Sequence, residues 1–172
     1  MQIRHHIIIL FILCSVLAAS ADAQTGEEWF EIGSAKFDNS SFPEAIQAWE
    51  QAMQIDPTLA ANSWYNIGLA YAGMERYEEA IKAWDKTIEI APESPIAYDN
   101  KGTALAILGR NDEAIAAYDI AIRLDPNQQK FQADRDVLIE SMKNTKSPLP
   151  TSLVFLAILA GAGYTLISRR KP

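Results

Sequence analysis

The chain has 172 residues with eight glycines, eight prolines and one cysteine, which leaves room for one domain of ordinary size and excludes the collagen-like and low-complexity classes. It carries 22 acidic and 15 basic residues, and the segment between its two apolar ends has a net charge of −10 from 21 acidic and 11 basic residues. Because phosphate backbones are bound through clustered lysines and arginines, this composition argues against a nucleic-acid partner.

The first 23 residues have the three parts of a secretory signal peptide. Arg4 supplies a positive charge, residues 7–18 form an apolar core, and the triplet Ala21-Asp22-Ala23 is a small-x-small cleavage pattern. We therefore predict a signal peptide over residues 1–23, with cleavage after Ala23. The alternative is an uncleaved membrane anchor.

The same segment holds the chain's two histidines, His5 and His6, and its cysteine, Cys14. A chain cleaved after Ala23 therefore has no thiol and no imidazole. These groups commonly serve acid–base catalysis, disulfides and transition-metal sites. We expect no catalytic residue, no metal site and no cofactor.

Five positions between residues 26 and 128 recur at steps of 35 and 34 residues. They are Trp29, Trp64 and Tyr98; Gly33, Gly68 and Gly102; Ala45, Ala80 and Ala114; Trp49, Trp84 and Tyr118; and Pro57, Pro92 and Pro126. Residues four apart share one face of a helix, and a glycine that faces an alanine lets two helices approach closely. The tryptophan one turn after the alanine then fills the space beside that contact. Because proline cannot continue a helix, each proline predicts the end of a helical hairpin.

These repeats resemble the tetratricopeptide repeat, a helix-turn-helix unit of about 34 residues. The second copy carries the resemblance most fully, in the stretches WYNIGLAY and YEEAI and in Pro92. The resemblance implies an all-α fold, namely a right-handed α-solenoid of three repeats over residues 26–60, 61–94 and 95–128. The first copy has one additional residue in the turn after Pro57.

A further helical segment, residues 129–143, follows the third repeat and has Phe131, Leu138 and Met142 on one side of an otherwise charged sequence. A stack of repeats leaves its last apolar face open unless another element covers it. We therefore predict a capping helix here, which completes a repeat domain over residues 24–143.

A polar linker, residues 144–148, leads to 19 residues without a charge at 149–167, close to the length that crosses a bilayer. The tail at 168–172 contains the cluster Arg169-Arg170-Lys171, and such clusters stay in the cytoplasm. We predict a single-pass transmembrane helix in the cell membrane, with the repeat domain on the extracytoplasmic side. The tail also resembles the C-terminal sorting signals of some archaeal surface proteins, in which a membrane transpeptidase removes the apolar helix.

In the tetratricopeptide-repeat family, the first helices of successive repeats line a concave groove that binds extended peptides or partner helices. Carried over to this chain, the resemblance places ten residues in the groove: Phe30, Ser34, Phe37, Tyr65, Asn66, Leu69, Ile96, Asp99, Asn100 and Thr103. Asn66 and Asn100 match an asparagine that in several members bonds to the backbone of a bound peptide. None of the ten is basic, which disfavours ligands held by a clamp on their C-terminal carboxylate. The expected partner is a protein or peptide with an uncharged or somewhat basic segment.

The leading function is that of a membrane-anchored scaffold that binds another protein, and not that of an enzyme. The acid–base candidates are two adjacent pairs, Glu78-Glu79 and Asp112-Glu113. Both pairs lie at the start of second helices, where acids favour the helix dipole, so we interpret them as structural. The alternatives are a non-catalytic regulatory subunit of a membrane or surface enzyme complex, and a structural surface protein that acts by self-assembly.

Overall fold

The computed structural model describes residues 24–143, which form seven α-helices and no strand. The helices are α1 (Gly26–Asp38), α2 (Phe42–Ile55), α3 (Ala60–Gly73), α4 (Tyr77–Ile90), α5 (Pro95–Ile107), α6 (Asn111–Leu124) and α7 (Gln129–Lys143), and a short 3-10 turn at Pro57–Leu59 joins α2 to α3. The predicted signal peptide, linker, transmembrane helix and basic tail lie outside the described residues.

The seven helices pack in chain order. α1 packs against α2, α3 against α4 and α5 against α6, and the second helix of each pair also packs against the first helix of the next pair. α7 packs against α6 and also touches α5. Each pair thus contacts mainly its neighbours, which is the architecture of a helical solenoid and confirms the predicted all-α repeat fold.

An aromatic ring of each second helix lies directly on a glycine of the first helix. A Cβ atom on Gly33 would come within 2.6 Å of Trp49 Cδ1, and one on Gly68 within 2.7 Å of Trp84 Cδ1. Each indole Nε1 donates a hydrogen bond of 3.2 Å to the first-helix carbonyl that precedes the glycine by three residues. The sequence predicts that the tryptophan fills space beside a glycine–alanine contact, whereas the structure places the ring on the glycine itself.

The third repeat keeps this packing with a different polar bond. A Cβ atom on Gly102 would lie 2.9 Å from Tyr118 Cε1, so the tyrosine ring occupies the position of the two indoles. Its hydroxyl shares a hydrogen bond of 3.0 Å with Thr103 Oγ1. The aromatic position therefore contributes a hydroxyl group to the neighbourhood of Thr103 in the third repeat only.

The prolines end the helices as the sequence predicts. α2, α4 and α6 end two residues before Pro57, Pro92 and Pro126. The residue before each proline has a ψ of 96°, 77° or 88°, outside the helical range, because the proline ring disfavours helix at that position. The additional residue of the first repeat is accommodated by the 3-10 turn at Pro57–Leu59, which runs directly into α3.

The turn inside each helical pair contains one residue in the left-handed conformation. Ser40, Glu75 and Gly109 have φ values of 58°, 59° and 75° and occupy the same position in the three repeats. In each turn the next N–H donates a 2.9 Å hydrogen bond to a carbonyl five residues earlier, as Arg110 does to Leu105. This is the pattern of a Schellman motif, and glycine fits it best because it has no Cβ atom.

α7 covers the end of the third repeat. Phe131 and Leu138 are buried, and Met142 packs against the apolar cluster that contains Leu138. Among the helices within residues 24–143, none has the length and apolar character needed to cross a membrane.

We predict that Gly68→Ala destabilises the protein by about 1–3 kcal/mol, because the new methyl group would overlap the Trp84 indole. The same substitution at an unhindered helical site stabilises by about 1 kcal/mol, so the sign of the effect is diagnostic. Urea denaturation followed by circular dichroism measures it. Asn62→Ala, on the exposed face of the same helix, is the matched control. A Gly68→Ala variant that is more stable than wild type would contradict the packing described here.

We predict opposite effects for two substitutions in the turns. Glu75→Gly should raise the free energy of unfolding and Gly109→Ala should lower it, each by about 1 kcal/mol. The reason is that glycine, which has no Cβ atom, adopts the left-handed conformation without the steric cost that other residues have. Thermal unfolding of both variants beside wild type gives the signs directly. A loss of stability in Glu75→Gly would show that the Glu75 side chain matters more than its backbone conformation.

Candidate functional site

The first helices α1, α3 and α5 carry all ten residues that the sequence assigns to the groove, and we call the surface formed by these ten residues the groove surface. Phe30, Tyr65 and Asp99 occupy the same position in the three repeats, and so do Ser34, Leu69 and Thr103. Two features connect neighbouring helices across this surface. A cleft lies between α1 and α3, and a hydrogen bond joins α3 to α5.

The cleft between α1 and α3 has a volume of about 190 Å³. Four predicted groove residues line it, together with two that the sequence did not assign to the groove: Ser34, Phe37, Asn66 and Leu69, with Asp38 and Trp49. Trp49 was interpreted as packing alone. Asp38 ends α1, and its place on the cleft follows from the distance between α1 and α3, which the repeat pattern does not contain.

The cleft offers an apolar wall and one unengaged amide. The Phe37 ring packs against Trp49 and Phe42, with ring centroids 5.9 Å and 5.4 Å apart. The Ser34 hydroxyl donates to the Phe30 carbonyl at 3.1 Å and is therefore already used. The half-buried Asn66 amide makes no hydrogen bond to any residue within 24–143, so it has donors and an acceptor for a bound chain.

The α3–α5 side of the groove surface is a polar network. Asn100 Nδ2 donates to the Tyr65 hydroxyl at 3.1 Å, and Thr103 bonds to Tyr118. Burial raises the pKa of the Tyr65 hydroxyl, so that group stays neutral in ordinary buffers. Asn66 and Asn100 occupy equivalent positions, yet only Asn66 is unengaged.

Asp99 differs from the expectation that it contacts a partner directly. The residue is only 1% exposed, and its Oδ2 accepts a 2.5 Å hydrogen bond from Lys130 Nζ on α7. Lys130 also donates to Asp134 Oδ2 at 2.6 Å. A basic group therefore does reach the groove surface, although none of the ten assigned residues is basic. It comes from the capping helix, 31 residues further along the chain.

The pKa shifts of this cluster follow from burial and pairing. Burial raises the pKa of Asp99, and the Lys130 ammonium only partly offsets that effect. Burial by itself favours neutral Lys130, but the hydrogen bonds to Asp134 and Asp99 outweigh it and raise the pKa of the ammonium. Ile96, one turn before Asp99 on α5, is exposed to solvent.

The adjacent acids at the starts of second helices make local ion pairs. Arg76 contacts Glu79 at 2.6 Å, and Arg110 contacts Glu113 at 2.6 Å. The hydrogen bond from each arginine lowers the pKa of its glutamate, which is the opposite of what a general acid needs. No group of three or more metal-ligating side chains occurs within the part of the chain that the structure describes.

A second, wider cleft of about 360 Å³ lies on the outer side of the first repeat. Its lining combines apolar and polar side chains: Trp29, Ile32, Lys36, Glu44, Gln47, Ala48, Glu50 and Gln51. Trp64, the counterpart of Trp29 in the second repeat, packs against the first repeat. Trp29 has no repeat in front of it among the described residues and remains half-buried at the end of the stack.

Two family models match the chain, one described as tetratricopeptide repeat over residues 65–128 and one as TPR repeat over residues 33–75. No curated protein matches it. A crystal structure of MamA is 32% identical, covers 62% of this chain and 61% of its own, and has a TM-score of 0.57. The chain thus spans about three fifths of the length of MamA.

Two further similar structures are repeat domains solved with peptides. The first TPR of Spaghetti (RPAP3) bound to the HSP90 peptide SRMEEVD is 21% identical, covers 72% of this chain and 97% of its own, and has a TM-score of 0.64. The second TPR domain of human RPAP3 in complex with the HSP70 peptide SGPTIEEVD is 23% identical, covers 63% and 89%, and has a TM-score of 0.58. At these identities the likeness shows the fold alone.

We predict that Tyr65→Phe lowers the free energy of unfolding by about 0.5–1.5 kcal/mol, because the Asn100 amide loses its hydrogen-bond partner. Urea denaturation provides the measurement. Tyr98→Phe is the matched control, since the Tyr98 hydroxyl makes no hydrogen bond to the described residues. Equal stability of the two variants would show that the Tyr65–Asn100 hydrogen bond makes no net contribution to the free energy of unfolding.

Proposed function

Residues 33–128 of this chain are tetratricopeptide repeats, and from this premise we propose that the protein is a scaffold that holds an extended segment of another protein in its groove. The observation that carries the proposal is the cleft between α1 and α3. It joins the apolar side chains of Phe37 and Leu69 to the unengaged amide of Asn66. An amide that both donates and accepts suits the backbone of an extended chain, and the apolar wall suits a side chain beside it.

The charge of the groove surface indicates which ligands it favours. The cleft contains Asp38 and no basic residue, and the lysine near the third repeat is already paired with two carboxylates. An acidic peptide such as SRMEEVD, which the Spaghetti repeat domain binds, would find no free cation there. We therefore propose an uncharged or basic segment as the ligand of this chain.

The two apolar ends of the sequence support a proposal for where the protein lies in the cell. We propose that the signal peptide exports the repeat domain and that residues 149–167 anchor it in the cell membrane, with the basic tail in the cytoplasm. The linker at 144–148 spans less than about 20 Å, so the groove would lie close to the membrane surface. The partner would then be a membrane or surface protein.

Crosslinking and affinity capture from native membranes test the scaffold function. We expect one stoichiometric protein partner for wild type and an approximately tenfold weaker recovery for Asn66→Ala, the loss expected for about one backbone hydrogen bond pair. Gln54→Ala, which removes an amide from an exposed position of α2 outside the groove surface, is the matched control and should capture as wild type does. Equal capture by both variants would contradict the assignment of the groove.

The same experiment decides between the scaffold and its alternatives. Crosslinks between copies of this chain alone would favour a surface protein that acts by self-assembly, for which the open cleft beside Trp29 is the available surface. Capture of an enzyme whose activity changes on binding would favour a regulatory subunit.

We predict that the mature protein begins at Gln24 and stays in the membrane fraction after alkaline extraction. Removal of residues 149–172 should release the repeat domain in soluble form, because no described helix can replace the anchor. Mass spectrometry of the purified N-terminus and fractionation of both forms provide the measurements. A truncated protein that still sediments with the membrane would contradict the proposed anchor.

A further inference from the structure

Two carboxylates at the third-repeat end of the groove surface share one ammonium group. Lys130 Nζ lies 2.5 Å from Asp99 Oδ2 and 2.6 Å from Asp134 Oδ2. The other oxygen of Asp99, Oδ1, is buried and has no hydrogen-bond partner among the described residues. With Lys130 in place, the cluster still has one negative charge in excess and one buried carboxylate oxygen without a hydrogen bond to any described residue. A buried carboxylate in this state is costly for a protein to maintain.

The lysine is the solvent-exposed member of the cluster. The Asp99 side chain is 1% exposed and forms part of the wall, whereas the Lys130 side chain is 47% exposed and reaches Asp99 from the solvent side. Lys130 is the second residue of α7, in the first helical turn. A cation is unfavourable at this end of a helix because of the helix dipole. Lys130 therefore does not stabilise α7 through the dipole, and its favourable interactions are those with Asp99 and Asp134.

The surroundings of Asp99 offer an aliphatic surface and neutral polar groups, both of which suit a long cationic side chain. Ile96 lies one turn before Asp99 on α5 and exposes an aliphatic surface that can cover a methylene stem. The polar groups near Asp99 are neutral: the amide of Asn100, the next residue, and the Thr103 hydroxyl one turn later, each of which bonds to a tyrosine hydroxyl, Tyr65 and Tyr118 respectively. Their oxygen atoms can accept the N–H groups that a carboxylate leaves unpaired.

We propose that Asp99 and Asp134 form a subsite for the ammonium or guanidinium group of a lysine or arginine in the bound segment, and that Lys130 occupies this subsite until the ligand displaces it. The proposal rests on the groove function proposed above and adds the class of side chain that the groove selects. Displacement exchanges one cation for another on the same pair of carboxylates, so the buried charge of Asp99 is never left alone. Lys130 then moves into solvent, where a lysine carries its charge at little cost.

Chemical rescue tests the subsite without any partner protein. In the full chain in detergent, Lys130→Ala should lower the melting temperature, and n-butylammonium chloride should restore about 3 °C of it, since about 1 kcal/mol corresponds to a few degrees in a domain of this size. Tetramethylammonium chloride at the same concentration is the control because it has no N–H group to donate. Lys130→Gln, which keeps the length and removes the charge, is the second variant if Lys130→Ala does not fold.

The double variant Asp99→Asn/Lys130→Ala provides the specificity control. It should respond equally to the two salts, because the buried charge that binds the ammonium is gone. An equal response of the two salts on the single variants Lys130→Ala and Lys130→Gln would overturn the subsite.

Selection from a random peptide display on the immobilised full chain tests the link to the groove. Peptides selected by wild type should carry a lysine or arginine at one fixed position, and their affinity for Asp99→Asn should fall about tenfold, as expected for the loss of a charge-assisted hydrogen bond. Glu93→Gln, an exposed acid without an ion pair among the described residues, is the matched control and should leave affinity unchanged.

The two experiments separate this inference from the proposed function. Selected peptides without a basic position would overturn the inference and leave the groove function standing. If no peptide is selected at all, the groove function fails, and the n-butylammonium response alone decides whether the carboxylate pair takes an external cation.

Discussion

The contact between an indole ring and a glycine in the facing helix sets the geometry of this protein. In the first two repeats the ring lies where a methyl group would overlap it, and its N–H satisfies a carbonyl of the facing helix. One side chain thus fixes both the distance between two helices and a partly buried hydrogen bond, which is worth more inside a protein than in water. The Trp49 ring also lines the cleft beside Ser34 and Phe37, so the contact that sets the helix spacing forms part of the cleft wall as well.

The groove surface is uneven because the third repeat departs from this arrangement. The Tyr118 hydroxyl forms a hydrogen bond with Thr103. In the other two repeats, the indole N–H at this position donates to a backbone carbonyl instead. The α3–α5 side therefore holds a network of hydroxyl and amide groups that are already bonded to one another. The α1–α3 side is an apolar cleft with an unused amide. A bound segment would meet an apolar wall at one end and a polar, negatively charged wall at the other, which gives it a direction.

The sequence predicts those features that depend on spacing within one repeat, and it misses those that depend on distances between helices. Prolines at fixed steps end helices by steric exclusion, a local effect, so their positions could be predicted. The left-handed turns at Ser40 and Glu75 could not, because neither residue is a glycine and only Gly109 gives a signal. The contact between Lys130 and Asp99 joins the capping helix to the third repeat, and no periodicity relates the two residues. The burial of Asp99 could therefore not be predicted, and its place in the groove stays a prediction.

The two terminal helices of the described chain, α1 and α7, each pack against the stack from one side only. At the C-terminal end, α7 packs on α6, touches α5 and is tied to Asp99 by an ion pair. At the N-terminal end, α1 packs against α2 and against the short turn before α3, and no described element lies beyond it. In a stack held together by nearest-neighbour contacts, an element with a neighbour on one side opens first. α1 and α7 are therefore the helices that open first, whereas the five helices between them have packed neighbours on both sides.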